Sequence, residues 1–295
     1  MIQTKSFSEK IFDFLNIIFM CLLMLVCLYP LLYVAFASIS EGTQLISHSG
    51  LLFKPLGLNF SSYKMVFENP MILAGYGNTL FIVSVGLVIN LLMTSLGAYF
   101  LSRKGMYWKK AITVFIVFTM FMGGGLIPFY LTVKGLKLTD TLWSVIIPYS
   151  INTFNMILMR TSFEAIPESL EEAAKMDGAN DFDVLFKVII PLSMPVIAVM
   201  ILYYGVEHWN SWFPAMIFMR KRELYPLQLI LREILIENKT DEMMNSAGVN
   251  IEDFLTATLT VKYATTMVAT VPILCVYPFL QKYFTKGVMI GAVKG

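Results

Sequence analysis

Residues 171–195, EEAAKMDGANDFDVLFKVIIPLSMP, place a cluster of charged side chains in the middle of a strongly apolar chain. Pro167 stands just before this stretch, and Glu168, Glu171 and Glu172 follow it. Proline suits the first position of a helix, and acids in the first turns stabilise its positive end. The sequence therefore predicts that a short helix begins at this proline.

The end of the same helix is also indicated by the sequence. Residues 173–176, AAKM, are strong helix formers, and Gly178 follows where a helix commonly ends in a left-handed conformation. Asn180 or Asp181 can then cap a second helix that starts within FDVLFKVII, residues 182–190. We therefore expect two helices joined by a sharp turn. On physical grounds alone, this unit is either a rigid projection that a partner grips or a solvated connector.

The composition shows in which environment this unit lies. Hydrophobic residues make up 57% of the 295 residues and charged residues 14%, against about 25% in an average soluble protein. Apolar runs of about 20 residues recur, which is the length needed to cross a bilayer as a helix. The chain is therefore predicted to be an all-α integral membrane protein. Its net charge of +2 gives no indication of nucleic-acid binding, and its cysteines and histidines match no metal-ligand spacing.

We predict six transmembrane helices in one domain that extends from residue 11 to residue 284. The first apolar run is too long for the core of a signal peptide, so we expect it to be retained. Glycines at 123–125 and prolines at 191 and 195 are expected to weaken the third and fifth spans. The predicted spans are 11–39, 72–101, 109–131, 141–160, 188–218 and 263–284.

Basic residues predict the direction of these spans. They crowd the short loop between the second and third spans and both ends of the chain, which places these segments in the cytoplasm. The N-terminal residues 1–10, the charged loop 161–187 and the tail 285–295 are then cytoplasmic, whereas loops 40–71 and 219–262 are external. The basic run at 220–222 contradicts this assignment because it adjoins the outer end of the fifth span.

The external loop 219–262 contains a second predicted helix. Pro226 can occupy its first turn, and Leu227, Ile230, Leu231, Ile234 and Leu235 follow at helical spacing. We expect this helix to lie on the membrane surface, with an external docking surface as the alternative.

The charged loop resembles the EAA loop of bacterial ABC importer permeases. Glu172, Ala173 and Ala174 match its acidic start, Asp177, Gly178 and Ala179 match its glycine turn, and Pro191 matches its later Ile-x-Pro. The resemblance extends through MILMRTSFEAIPESLEEA at 156–173, HWNSWF at 208–213 and the final KGVMIGAVKG. The chain is similar to the maltose-permease-like, carbohydrate-uptake branch, in the subgroup of the LplC and YtcP permeases and the second alginate-transporter permease.

This resemblance implies the type I ABC importer permease fold, in which the EAA helix is a coupling helix. Such a helix inserts into a cleft of a cytoplasmic ATP-binding subunit. Glu172 would pair with a basic residue of that subunit, Ala173 and Ala174 would allow close packing, and Gly178 would allow the turn. The C-terminal tail, with Lys286, Gly291 and Lys294, would also contact the ATPase.

The resemblance also implies the partners of the chain. It has no GxxxxGK[ST] phosphate loop, so ATP and Mg²⁺ are expected on two separate ATP-binding subunits, and the chain itself is not an enzyme. A second homologous permease, in a heterodimer, and an external solute-binding protein complete the expected assembly. The expected location is the bacterial cytoplasmic membrane, with both termini in the cytoplasm.

Polar residues in the predicted spans are candidates for the substrate path, because polar side chains are costly in a membrane. Aromatic faces, amides and carboxylates suit an oligosaccharide, and the resemblance implies a complex or acidic one. Hydrogen bonding between helices explains each residue individually as well. The candidates are Asn152, Asn155, Glu207, His208, Trp209, Asn210 and Trp212.

An ion-coupled secondary transporter of a small polar solute is the alternative function. It would require ionisable groups within the membrane, and Glu207 is the acid that could serve, near the outer end of its span.

Overall fold

The computed structural model describes residues 6–105, 107–236 and 259–276, together with Pro278 and Gln281. All regular structure in these residues is helical, as predicted. The helices are α1 Phe7–Ser38, α2 Gly42–Ser47, α3 Ser61–Glu68, α4 Pro70–Ser102, α5 Lys109–Phe121, α6 Leu126–Gly135, α7 Thr153–Glu164, α8 Glu168–Met176, α9 Asp181–Leu192, α10 Met194–Trp209, α11 Phe213–Phe218, α12 Leu227–Ile236 and α13 Leu259–Val276. Short 3₁₀ turns cover Leu142–Val145, Ile147–Tyr149 and Arg222–Leu224.

Three helices, α1, α4 and α13, are individually long and apolar enough to cross a membrane. They correspond to the predicted first, second and sixth spans, although α1 starts at Phe7 and α13 at Leu259, four residues before each predicted start. Cys21, Cys27 and Cys275 are exposed along α1 and α13.

The other three predicted spans are bent rather than straight. Helices α5 and α6 meet at 112°, the 3₁₀ turns and α7 at 46°, and α9 and α10 at 87°. The first of these bends lies at the predicted glycine run, where Gly125 has φ of 85°. The last lies at Ser193, between Pro191 and Pro195, which both lack a backbone donor. The fifth span is thus wrong as a single helix over 188–218, because a helix begins at Asp181 and breaks again after Trp209.

The described residues fall into two compact units, and the smaller combines residues up to 69 with the described part of 234–270. Its apolar core contains Ala37, Leu45 and Leu52. The Tyr29 hydroxyl accepts a 2.9 Å hydrogen bond from the Leu52 amide. Ser62 Oγ donates to Thr260 Oγ1 at 2.8 Å, which ties α3 to α13 within this unit.

The second unit, residues 70–233 with the described residues after 270, is organised around α4. This helix packs against α7 and α10, and the end of α9 completes the same core. The core side chains come from all four helices: Ala98, Tyr99, Leu101, Met156, Met159, Phe163, Val184, Leu185, Ile189, Ile197, Met200 and Tyr204. The end of α4 is therefore held among the helices that flank the charged loop.

Helix α12 forms as predicted but does not lie on a surface. Leu227 is 0% exposed, and its amide donates to Thr79 Oγ1 of α4 at 2.9 Å. A Cβ at Gly75 would come 2.5 Å from Ile230 Cδ1, so the two helices are in close contact. The predicted membrane-surface helix is therefore wrong, because α4 supplies small and polar residues that receive α12.

The basic run that contradicted the charge rule is partly neutralised within the same segment. Arg222 pairs with Glu233 of α12 at 3.0 Å, and the Arg220 amide donates to Asp140 Oδ1 at 2.6 Å. Because the rule counts basic residues and not net charge, these contacts do not remove the contradiction.

Candidate functional site

Helix α8 begins one residue after the predicted proline. Pro167 is the N-cap residue, with an extended backbone at φ −57° and ψ 132°, rather than the first helical residue. Glu168 and Glu171 occupy the first turn, where carboxylates stabilise the helix dipole. The helix has nine residues, so it is short enough to depend on its two ends for stability.

The end of α8 is closed by a left-handed glycine. Gly178 has φ of 87°; its amide donates to the Lys175 carbonyl at 3.0 Å, and the Ala179 amide donates to Ala174 at 3.0 Å. This pair of bonds is a Schellman motif. A Cβ at 178 would have no atom within 4 Å, so the backbone conformation, and not crowding, favours glycine here.

Asn180 caps the following helix, which selects one of the two predicted capping residues. Its side chain accepts from the Asp183 amide at 2.9 Å, and the Asp183 carboxylate faces the Asn180 amide in return. Helix α9 then widens into a π-turn over Val184–Ile189 before Pro191, which is exposed. The two-helix unit with a sharp turn is therefore confirmed.

Most of α8 is exposed, and one exposed side carries the first two residues of the EAA motif. Glu172 and Ala173 are exposed with Met176, which is 88% exposed, and with Asp177 at the end of the helix. Ala174 packs partly against the core of the second unit. The helix therefore presents an acid, a small residue and an apolar side chain on one side.

The other acids around α8 are paired with basic residues of the loop between α4 and α5 and of the start of α5. We call this set the ion-pair cluster, and it has three pairs: Arg103 with Glu171, Lys104 with Glu168 at 2.7 Å, and Lys109 with Glu164 at 3.1 Å. No sequence motif predicted that these two segments are in contact. Among the acids at 168, 171 and 172, Glu172 belongs to none of these three pairs.

Glu171 is the most buried member, at 7% exposure. It contacts Arg103, accepts from Tyr99 Oη at 3.3 Å, and accepts from Lys175 Nζ at 3.0 Å. Burial acts to raise the pKa of the Glu171 carboxyl, but the hydrogen bonds and charges of Lys175 and Arg103 outweigh burial and lower this pKa. Glu171 is therefore a charged, internally paired group and not a free contact for a partner.

His208 connects two helices of the second unit. Its Nε2 lies 2.6 Å from Asn90 Oδ1 of α4, and Asn90 Nδ2 donates to the Tyr149 carbonyl at 2.7 Å. A Cβ at Gly86 would come 2.6 Å from His208 Nε2. A buried polar pair within a membrane helix bundle stabilises packing when its partners are satisfied, and this pair is.

Gly86→Ala should therefore destabilise the protein, whereas Gly77→Ala on the same helix should not. The first change forces the His208 ring away from Asn90, which costs about 1–3 kcal/mol. The second adds a methyl with no atom within 4 Å and gains about 1 kcal/mol in helix propensity. Melting midpoints of the two variants in detergent measure the difference, and equal midpoints would contradict the close packing described here.

Of the two predicted asparagines of the fourth span, one is a helix cap and the other is buried. Asn152 caps α7, since its side chain accepts from the Phe154 amide at 3.0 Å and the Asn155 amide at 3.3 Å. Asn155 is buried in α7 at 3% exposure.

The aromatic and amide candidates near the end of α10 are also engaged. Trp209 is buried, with its ring 6.4 Å from that of Tyr76. Asn210 Nδ2 donates to the carbonyl four residues earlier at 3.0 Å. The Arg232 guanidinium lies 4.9 Å from the centre of the Trp212 ring, a cation–π distance.

Glu207 is exposed, as are Asn210 and Trp212 among the substrate-path candidates. It borders a cavity of about 180 Å³, which it shares with His208, Tyr149 and Ser211. Of the seven predicted residues, the structure brings these two, Glu207 and His208, to one cavity. Across the described ranges, no three His, Cys, Asp or Glu side chains are arranged to hold a metal ion. The tail residues Lys286, Gly291 and Lys294 lie outside the described residues.

Comparison with known proteins assigns the fold. No family model matches the chain. It is 36% identical over 292 residues to the polygalacturonan/rhamnogalacturonan transport system permease protein YtcP of Bacillus subtilis, covering 98% of this chain and all of YtcP. It is also 36% identical over 288 residues to LplC of the same organism, covering 98% of this chain and 96% of LplC.

A solved structure gives the same result. A chain of a bacterial ABC transporter that imports the acidic polysaccharide alginate superposes with a TM-score of 0.85 at 35% identity, over 95% of this chain and 99% of that one. The apolar helices agree with a multi-pass protein of the bacterial inner membrane. Identity above 30% over nearly the whole chain is sufficient to assign a family. The chain belongs to the permease subunits of the carbohydrate-importing ABC transporters.

Proposed function

We propose that this permease moves a complex or acidic oligosaccharide into the cytoplasm by alternating access, driven by ATP hydrolysis on partner subunits. The relatives named for polygalacturonan/rhamnogalacturonan and for alginate handle acidic polymers, which supports this substrate class. A solute-binding protein delivers the saccharide from outside, and a second homologous permease completes the path. ATP and Mg²⁺ bind to two ATPase subunits, and this chain contributes force transmission and part of the path.

The family excludes the alternative suggested by the sequence. An ion-coupled secondary transporter derives its energy from a gradient, whereas the relatives are ABC transport permeases. Glu207 is accordingly a candidate for contact with substrate and not for ion coupling.

The observation that carries the coupling proposal is the geometry of α8. The helix spans Glu168–Met176, between the Pro167 N-cap and a left-handed Gly178, and it exposes Glu172 and Ala173. A short, capped helix of this kind can enter a cleft as a rigid body, with Glu172 available to a cation of the ATPase. Ala173 and Ala174 add little volume and allow close approach. Asp177, Ala179 and Pro191 belong to the turn and to the helix that follows.

Six membrane crossings follow if each bent pair counts as one span beside α1, α4 and α13. Both termini and the segment 161–187 then lie in the cytoplasm, together with the ion-pair cluster. The end of the tail, with Lys286, Gly291 and Lys294, is proposed to contact the ATPase.

The substrate path is proposed to pass beside the cavity of Glu207 and His208. The remaining candidates, Asn152, Asn155, Trp209, Asn210 and Trp212, shape this region through helix caps and packing. Their substitution is expected to affect stability as well as uptake.

Reconstitution of the complete importer in liposomes tests the proposal. The assembly contains this permease, its partner permease, the ATPase and the solute-binding protein. Oligogalacturonates and alginate oligosaccharides are compared with malto-oligosaccharides of equal length. We expect at least one acidic saccharide to stimulate ATP hydrolysis and to accumulate inside, and the neutral series to do neither. An assembled importer that no saccharide stimulates would contradict the proposed function.

A further inference from the structure

The end of α4 and the start of α8 face each other across an open groove. The groove has a volume of about 830 Å³, with Leu96, Tyr99 and Phe100 of α4 along one side. Apolar packing is therefore incomplete between these two helices. Side-chain charges of the ion-pair cluster connect them instead.

The three pairs of the cluster differ in strength. Lys104 and Glu168 are 80% and 49% exposed, and such surface pairs contribute little. The side chains of Arg103 and Glu171 are 20% and 9% exposed. Removing Glu171 leaves the largely buried Arg103 charge without a carboxylate, and removing Arg103 leaves the buried Glu171 with Lys175 as its remaining cation. The Arg103 guanidinium also lies 4.8 Å from the centre of the Tyr99 ring, which fixes it against α4. The Arg103–Glu171 pair is therefore the main attachment.

The end of α4 that receives this attachment is itself rigid. Lys109 Nζ donates to the carbonyls of Ser102 and Arg103 at 3.4 and 3.1 Å, which closes the end of the helix. A cation at this position also stabilises the negative end of the helix dipole. Because α4 packs along α7 and α10, a displacement of its end is transmitted into the helix bundle.

We propose that Arg103 and Glu171 are positioning residues that attach the coupling helix α8 to α4, so that movement of α8 drives α4 as well as the α9–α10 helix. This inference rests on the proposed function, since it takes α8 as the element that the ATPase moves. The chain itself already joins α8 to α9 through the Gly178 turn. The ion pair adds a second, non-covalent connection, to a helix that is distant in sequence.

The variants Glu171→Gln and Arg103→Gln test this attachment in the reconstituted importer. We expect the ATPase to remain bound and ATP hydrolysis to stay within about twofold of the unmodified importer, while saccharide uptake per ATP falls about tenfold. The matched control is Glu68→Gln, which removes a carboxylate from the exposed Lys64–Glu68 pair at 3.8 Å on α3. We expect this control to leave uptake per ATP unchanged.

A crosslink distinguishes positioning from general damage to the fold. Lys104→Cys and Glu168→Cys place thiols on the exposed pair, with Cys21, Cys27 and Cys275 replaced by alanine. A bifunctional thiol reagent of side-chain length should restore uptake per ATP in the Glu171→Gln background. The same crosslink without Glu171→Gln should leave uptake per ATP unchanged, because the Arg103–Glu171 pair already attaches α8. Crosslinking in the Arg103→Gln background provides a second test if Glu171→Gln fails to fold.

Three results would overturn the attachment. These are unchanged uptake per ATP in both glutamine variants, loss of ATPase binding in them, or a crosslink that blocks transport. Each result counts only if the unmodified importer is active, so it contradicts this inference and not the proposed function. An unmodified importer that neither binds the ATPase nor transports would instead remove the proposed function.

Discussion

Glu172→Lys should abolish uptake while leaving the permease in the membrane and the ion-pair cluster intact. Glu172 lies on an exposed face of α8, outside the three pairs of the ion-pair cluster. A lysine here would oppose a cation of the ATPase and leave it without a partner. Losing one member of a desolvated charge pair costs about 2–5 kcal/mol, or about 30-fold or more in affinity.

The measurement is the amount of ATPase retained on purified permease, followed by uptake in liposomes. Glu172→Gln keeps the shape and removes the charge, so its loss should be smaller than that of the lysine variant. Glu68→Lys reverses the charge at an exposed position on α3 and is the control for the effect of a charge reversal by itself. Normal uptake by Glu172→Lys would show that the ATPase does not rely on this side chain.

Adjacent glutamates thus have opposite environments, and the sequence alone could not separate them. Glu171 and Glu172 are neighbours in one motif, yet one is buried at 7% exposure and the other is exposed. The difference comes from Arg103, which is 68 residues away along the chain. Charge counts offered one signal that could have been used, because the basic residues at 103–110 are matched by acids at 164–172.

Local features, in contrast, were predictable from the residues that make them. The start of α8 at Pro167, the left-handed Gly178 and the Asn180 cap all depend on contacts within a few positions. The helical class followed from composition because apolar runs of this length have few other solutions in a membrane.

The bent spans and α12 depended on tertiary structure. Prolines and glycines marked where α5–α6 and α9–α10 weaken, but they did not predict bends of 112° and 87°. The pattern of α12 shows an apolar face and cannot show whether lipid or protein covers it. The small Gly75 and the Thr79 hydroxyl of α4 decided that question.

The second large effect is expected at the turn that joins α8 to α9. Gly178→Val should lose most uptake, because φ of 87° is unfavourable for residues with a Cβ and most unfavourable for a β-branched one. The cost in this region is about 1–2 kcal/mol for an ordinary residue. No atom lies within 4 Å of the added Cβ, so the strain arises in the backbone and not from a clash. Relief of that strain changes the angle between α8 and α9.

Gly178→Asn is the matched comparison, since asparagine tolerates the left-handed conformation better than other residues with a side chain. We expect uptake to decrease in the order glycine, asparagine, valine, while membrane insertion and the His208–Asn90 packing remain unchanged. Uptake and ATP hydrolysis are measured together, because a turn of altered angle should still permit ATP hydrolysis without the uptake that normally accompanies it. If the valine variant supported uptake as well as the asparagine variant, transport would not depend on a fixed angle between α8 and α9. Rigid-body movement of α8 and α9 would then no longer explain how the movement reaches α10.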